Sequence, residues 1–134
     1  MLSAGYANAQ RVVVDPNSEK HSIADALEYY EDSSEALTIE EVLASNFGVN
    51  FIPHNRDILH FGITSSAYWL RFNLDWTEAG ANTTKILELG PPKLVAGRVR
   101  GGIELFVIGD DGSLVSRYTL GTQTSERELK TLNR

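Results

Sequence analysis

The chain has 134 residues, a length at which one folded domain buries most of its apolar surface. Hydrophobic residues make up 42% of the chain and charged residues 22%, so the composition excludes an intrinsically disordered protein and predicts a packed core. The formal net charge is -6 and the twelve basic residues are scattered, which argues against nucleic acid as a partner.

The first ten residues carry a short pattern that is typical of exported proteins. Ala7-Asn8-Ala9 before Gln10 has the small-x-small form of a signal-peptidase site, although a basic start and a long apolar run are missing. Residues 1–9 are therefore either the remnant of a signal peptide or a flexible tail, and we expect a single domain over residues 10–134. No run reaches the ~20 apolar residues that span a bilayer, so we expect any membrane anchor to lie outside this chain.

The N-terminal third predicts one strand and one or two short helices. Arg11–Asp15 is a β-branched run closed by a turn at Asp15-Pro16-Asn17, so a strand ends there. His21–Glu31 is ambiguous, because the spacing of its apolar residues favours a short helix whereas two adjacent tyrosines weaken that interpretation. Thr38-Ile39-Glu40-Glu41 forms a capping box, which predicts a helix from Ile39 to about Ser45.

Ala67–Trp76 is the strongest predicted strand, because aromatic and branched residues are enriched along it. Successive side chains of a strand point to opposite faces. One face carries Tyr68, Leu70, Phe72 and Leu74, which we assign to the core. The other face carries Trp69, Arg71, Asn73 and Asp75. Replacing Phe72 by alanine is accordingly expected to cost about 3 to 5 kcal/mol of stability.

Shorter strands are predicted around it. A tight Asp-Gly turn between two apolar runs is the clearest hairpin signal, because glycine supplies the positive φ that such turns require. The predicted fold class is a mostly antiparallel β domain with one or two short helices near its N-terminus. The predicted segments are the strands Ile58–Gly62 and Lys85–Leu89, and the hairpin Ile103–Ile108 and Leu114–Leu120 around Asp110-Asp111-Gly112.

Several segments occur in an order that points to a known family. They are Leu27–Asp32, Leu37–Val42 and Phe61–Phe72, followed by Ile86–Leu89 and the Asp111-Gly112 turn. This order resembles the extracellular sensor domain of 7TMR-DISM receptors, which are bacterial seven-transmembrane receptors with diverse intracellular signalling modules. The similarity spans residues 21–127, and the stretch Tyr68-Trp69-Leu70-Arg71-Phe72 is its most specific part.

The resemblance implies a jelly-roll-like antiparallel β-sandwich similar to carbohydrate-binding modules. It also implies a periplasmic position on the outward face of the bacterial inner membrane, ahead of a seven-helix bundle and a histidine kinase or diguanylate cyclase. The implied function is sensing of a saccharide or another small polar solute. The alternative is an interaction or dimerisation module of the cell envelope that takes no small-molecule ligand.

Two features depart from the family pattern. The loop Lys93–Gly102 is longer and richer in glycine, and the closing strands that follow a segment like Gly121–Arg127 are missing before Arg134. An incomplete sheet leaves unpaired backbone groups at its edge, which recruit another chain or a terminal segment. We therefore expect a homodimer, a swapped segment, the Ser3–Val14 region across the gap, or closure by Gly121–Arg134 itself.

Trp69, Arg71 and Asn73 are the candidate ligand-binding residues, because they share the strand face opposite the assigned core. A planar indole and a forked guanidinium two residues apart can stack a sugar ring and hold its hydroxyls or a carboxylate. In the alternative, Trp69 packs under the edge of a second sheet and Arg71 pairs with a structural acid such as Asp32.

Catalytic and metal-binding patterns are weak throughout the sequence. His21, His54 and His60 stand apart without metal-ligand spacing, and Thr64-Ser65-Ser66 is explained by a turn before a strand. Cysteine is absent, and one Asp-Asp-Gly turn supplies too few of the roughly six to eight oxygens that calcium takes. The sequence therefore predicts neither an enzyme nor a cofactor or metal site.

Overall fold

The computed structural model describes residues 11–57, 59–62, 64–87 and 103–120. The chain divides into two units, Met1–Ala81 and Asn82–Arg134, and each described strand pairs within its own unit. Residues 1–9, 93–102 and 121–134 lie outside the described residues, so the predictions made for those segments stay predictions.

Short strands dominate the described part of the first unit. The strands and the α-helix are β1 (Arg11–Val13), β2 (Glu28–Asp32), α1 (Ile39–Val42), β3 (Ile52–Pro53), β4 (Ala67–Arg71) and β5 (Asn73–Asp75). Single turns of 3-10 helix lie at Ala24–Ala26 and Gly48–Asn50. The prediction of a mostly β fold with short helices near the N-terminus is confirmed.

The central sheet of this unit has three antiparallel strands in the order β3-β2-β4. Glu28 of β2 lies opposite Arg71 of β4, and Tyr29 lies opposite Leu70. Ile52 of β3 lies opposite Tyr29 on the other side. Directly paired residues of neighbouring strands point to the same face, so Glu28 and Arg71 share one face. Ile52, Tyr29 and Leu70 share the other.

A second, parallel pair joins β1 to β5, with Val12 opposite Leu74. The pairing is extended by a hydrogen bond of 2.8 Å from the Val14 N–H to the carbonyl of Asp75. The strand predicted over Ala67–Trp76 is therefore present but interrupted at Phe72. Each half of it pairs with a different partner strand.

A turn and a helix cap predicted for the first unit are present. The carboxylate of Asp15 accepts from the Asn17 N–H at 2.8 Å in the turn after β1. At the start of α1 the Thr38 hydroxyl accepts from the Glu41 N–H at 3.3 Å, while the Glu41 carboxylate accepts from the Thr38 N–H at 2.8 Å. The capping box is confirmed, and the helix ends earlier than predicted, at Val42.

The helix predicted within His21–Glu31 is wrong. That segment holds one turn of 3-10 helix, Ala24–Ala26, followed by most of β2. Tyr29 and Tyr30 both pair across strands, and such packing of aromatic side chains outweighs helical spacing in a short segment. The strands predicted for 58–62 and 85–89 are also missing from the described parts of those segments, residues 59–62 and 85–87.

An aromatic cluster packs on the face of the sheet that carries Arg71. Phe51 is only 8% exposed, and its ring lies 6.3 Å from that of Tyr30 and 6.0 Å from that of Phe47. Tyr30 and Phe47 make an edge contact at 5.0 Å. We call this side of the sheet, which carries Glu28, Tyr30, Trp69 and Arg71, the packed face. Within the described ranges the other buried apolar residues are Val14, Ala26, Leu27 and Ile39.

Four residues of the strand predicted over Ala67–Trp76 were assigned to the core, and the assignment is wrong for two of them. Leu70 is 36% exposed and Leu74 is 46% exposed. Strand alternation separates two faces but does not show which of them another segment covers. Here the aromatic residues that follow α1 cover the side of Arg71 instead. We call the opposite side, which carries Tyr29, Glu31, Ile52, Tyr68 and Leu70, the open face.

The strands described in the second unit form a hairpin of β6 (Ile103–Ile108) and β7 (Leu114–Leu120). Its turn closes with a 2.8 Å bond from the Gly109 N–H to the carbonyl of Ser113, and Gly112 takes a φ of 82°. The predicted hairpin and its Asp-Gly turn are confirmed. The jelly-roll sandwich stays a prediction.

Candidate functional site

Arg71 is fixed on the packed face by a cross-strand ion pair. Its Nε donates to the carboxylate of Glu28, which lies directly opposite in the β2–β4 ladder. The Glu28 side chain is 4% exposed and that of Arg71 is 22% exposed. The guanidinium carbon also lies 4.2 Å from the centre of the Phe51 ring. Charge, hydrogen bonding and cation–π attraction therefore hold this arginine in one position.

Asp32 does not serve as the partner of Arg71, although it lies on the same strand as Glu28. Its carboxylate accepts from the Ser34 hydroxyl at 2.6 Å, the Ser34 N–H at 3.1 Å and the Leu37 N–H at 3.0 Å. Burial raises the pKa of Asp32, but these hydrogen bonds favour the charged form and bring the pKa below its usual value. Asp32 thus orders the turn between β2 and α1.

The three predicted binding residues occupy two different strands. Trp69 lies beside Arg71 on the packed face, opposite Tyr30, and is half-buried. Asn73 follows the break at Phe72 and pairs with Arg11 of β1. The structure therefore brings Trp69 and Arg71 together and assigns Asn73 to a separate strand pair. Ligand binding by these three residues stays a prediction.

A row of apolar side chains crosses all three strands on the open face. Ile52, Tyr29 and Leu70 are successive neighbours in the ladder. Ile52 is 54% exposed, Leu70 is 36% exposed and Tyr29 is half-buried. Adjacent strands lie about 4.8 Å apart, so the row is roughly 10 Å long.

Phe61 adds an aromatic ring to the open face. It stacks on Tyr68 with ring centroids 4.0 Å apart and an interplanar angle of 15°. Its ring also lies 5.3 Å from that of Tyr29. The adjoining turn is fixed, because His60 Nδ1 accepts from the Gly62 N–H at 2.8 Å and Gly62 takes a positive φ of 72°.

A carboxylate borders this aromatic surface. Glu31 lies opposite Tyr68 in the β2–β4 ladder and is exposed. Its Oε1 accepts from the Ser66 hydroxyl at 2.7 Å. A bonded carboxylate still has lone pairs to accept hydrogen bonds from a ligand hydroxyl.

His54 lies beside the aromatic surface and fixes the backbone there. Its Nδ1 lies 3.0 Å from the carbonyl oxygen of Ala24 and 3.2 Å from that of Arg56. Only a protonated nitrogen can bond carbonyl oxygens, so Nδ1 carries the proton. The backbone N–H of His54 also donates to the carbonyl of Leu27 at 2.8 Å. The ring makes edge contacts with Tyr29 and Phe61, both at 6.2 Å.

The aromatic surface of the open face was not predicted from the sequence. The signal was present in the alternation of Tyr29 with Tyr30 and of Tyr68 with Trp69, since it gives each face of the sheet its own aromatic residues. Tyr29 and Tyr30 were not recognised as strand residues, because the apolar spacing of His21–Glu31 favoured a short helix.

His21 and Asp111 make contacts with neighbours in sequence. His21 Nε2 accepts from the Asp15 N–H at 3.3 Å. In the hairpin Asp111 accepts from the Ser113 hydroxyl at 2.6 Å and from its N–H at 3.0 Å, and these bonds lower the pKa of Asp111. Among the described residues no three His, Asp or Glu side chains are grouped to hold a metal ion.

Comparison with known proteins assigns the family. The family model described as 7TMR-DISM extracellular 2 matches residues 24–133. No curated protein and no solved structure shows significant similarity to the chain. Within the described ranges no helix is long and apolar enough to cross a membrane. The chain belongs to the 7TMR-DISM extracellular 2 family and is an outward-facing, periplasmic sensor domain of a membrane receptor.

Proposed function

We propose that this domain binds a saccharide or a similar small polar solute at the outward face of the inner membrane. Binding is then passed to a seven-helix part of the receptor and to an intracellular kinase or cyclase. The observation that carries the proposal is the aromatic surface formed by Tyr29, Phe61 and Tyr68 with the Glu31 carboxylate at its border. Aromatic surfaces with a few placed polar groups are typical of small-molecule sites.

A binding role is favoured over a catalytic one. The imidazoles of His21, His54 and His60 each contact a nearby backbone group. Nucleophilic or acid–base catalysis needs such a ring aligned with a nucleophile or a substrate proton. A histidine that braces a turn serves a structural purpose, and we therefore propose no enzyme activity, cofactor or metal.

A thermal-shift screen of the full chain tests the proposal. The panel contains glucose, maltose, cellobiose, xylobiose and chitobiose, with amino acids and divalent cations as controls. A ligand at 100 times its Kd stabilises the folded state by about 2.7 kcal/mol, which raises the melting temperature by several degrees. We expect at least one saccharide to do so. A flat response to every saccharide at millimolar concentration, or a response to amino acids or cations alone, would contradict the proposal.

A second candidate is an interaction module that works as a homodimer. It is favoured by an apolar cross-strand pair, Val12 of β1 and Leu74 of β5, in which Leu74 is 46% exposed and Val12 is half-buried. Exposed apolar surface of this kind marks contact sites when it is contiguous. Sedimentation velocity over a hundredfold concentration range, without ligand, separates the two candidates. A concentration-dependent dimer combined with a flat thermal-shift screen would favour the interaction module.

A further inference from the structure

We propose that the saccharide binds on the open face of the three-stranded sheet, against Tyr29, Phe61 and Leu70, and not over Trp69 and Arg71. The inference rests on the proposed function and names the surface and the class of sugar.

The packed face is already occupied by the protein. Arg71 bonds to Glu28 and stacks over Phe51, and Phe51 is buried against Tyr30 and Phe47. A sugar seated there would have to displace Phe51 or break the ion pair, and breaking a buried pair leaves an uncompensated charge. A ligand bound at that face would therefore have to compensate for the folding free energy lost with the ion pair or with the packing of Phe51.

The open face offers an apolar surface about as long as two sugar rings, and a ligand there need not displace Phe51 or break the ion pair. Ile52, Tyr29 and Leu70 form a row roughly 10 Å long, comparable with two linked pyranose rings. Two of the three side chains are exposed. Phe61 and Tyr68 lie beside the row as a parallel stack, and the Phe61 ring is also 5.3 Å from that of Tyr29. The C–H face of a sugar ring packs on aromatic and aliphatic carbon of this kind.

The charges select a neutral sugar. Glu31 is exposed at the border of the row, where it can accept from ligand hydroxyls while Ser66 holds its other side. The chain carries a net charge of -6. A carboxylate at the site and a negative domain both disfavour uronic acids and sulfated sugars. We assign the open face to an uncharged mono- or oligosaccharide.

Titration calorimetry on the full chain and its variants tests the location, with the saccharide of the panel that shifts the melting temperature most as the probe. Tyr29→Leu removes a ring but keeps an apolar side chain, and Leu70→Gln replaces exposed carbon by an amide. Trp69→Leu is the matched change on the packed face. We expect Kd to rise by about tenfold or more for Tyr29→Leu and Leu70→Gln, and to change less than about twofold for Trp69→Leu. Loss of binding in Trp69→Leu, with tight binding kept in the other two, would overturn the inference and leave the proposed function standing.

The ligand-free variants test whether protein covers the open face instead. We expect Leu70→Gln to leave the melting temperature of the free chain within about 2 °C of the wild type. A drop of more than about 5 °C would mean that the protein itself buries Leu70, and it would overturn the inference. A wild-type dimer that Leu70→Gln dissociates would overturn it too, because a second copy would then occupy the face. A flat saccharide screen is a different result, which removes the proposed function itself.

Discussion

Arg71 and Glu28 lie directly opposite each other on β4 and β2, and the guanidinium donates to a carboxylate that is only 4% exposed. The same guanidinium stacks over Phe51, the most buried ring of the aromatic cluster. One cross-strand pair thus ties the sheet to the segment that covers it. Removing this ion pair should therefore destabilise both the sheet and the segment that covers it.

Arg71→Met is expected to lower the free energy of unfolding by about 2 to 4 kcal/mol, because it leaves the buried Glu28 carboxylate uncompensated. Arg71 is partly exposed, so the loss falls toward the lower end of that range. The double variant Glu28→Met/Arg71→Met should lose clearly less than the two single variants combined. Urea titration of all four proteins measures this coupling, and simple additivity would show that the pair is not coupled.

Asp32 should contribute stability that depends on pH. Its pKa is lowered in the folded state, so its contribution is fully present above the unfolded value of about 4 and is lost as the pH falls through the folded pKa. Asp32→Asn should therefore be less stable than the wild type at pH 7, by about 1 to 3 kcal/mol. The two proteins should approach each other below pH 4. Urea midpoints at pH 7, 5, 4 and 3 give the comparison, and a constant difference at all four would argue against the lowered pKa.

The two faces of the sheet should respond differently to truncation. Phe51→Ala is expected to cost about 3 to 5 kcal/mol, because it empties the centre of the aromatic cluster. Leu70→Ala on the open face should cost about 1 to 2 kcal/mol, since Leu70 is 36% exposed and is not fully packed. Guanidinium chloride titration of both variants provides the ranking. The reverse ranking would show that the faces are assigned the wrong way round.

The hairpin turn should depend on glycine at position 112. Its φ of 82° is strained for a residue with a Cβ, so Gly112→Ala is expected to cost about 1 kcal/mol or more. Gly112→Asn should cost less, because asparagine tolerates positive φ. Amide exchange of the Gly109 N–H, which bonds to Ser113, reports on the turn directly. Equal protection in the wild type and both variants would argue against the strain.

Local signals in the sequence were the ones that predicted structure correctly. The capping box at Thr38 and Glu41 and the Asp-Gly turn of the hairpin each depend on residues a few positions apart. Their hydrogen bonds are the same in any fold that contains them, so a pattern is enough to predict them.

Contacts between distant segments could not be read from a pattern. The acid that pairs with Arg71 lies 43 residues earlier, in a segment whose spacing favoured a helix. Once Glu28 is placed in β2 the register alone selects it over Asp32. The covered face of β4 is the one that Phe51 packs against. The contact of Phe51 with Arg71 is set by tertiary packing, which the alternation of side chains along a strand does not predict.

The parallel pairing of β1 with β5 has a consequence for the order of folding. Arg11 and Asp75 are 64 residues apart in sequence, and closing so long a loop costs chain entropy before any contact repays it. The β2–β4 ladder lies inside that loop, so we expect β1 to dock last and to detach first. Native-state hydrogen exchange should then show the Val14 amide, which bonds to Asp75, opening at a lower free energy than the amides of β2. Release of β1 alone would free one side of β5 while the sheet that carries both faces stays folded.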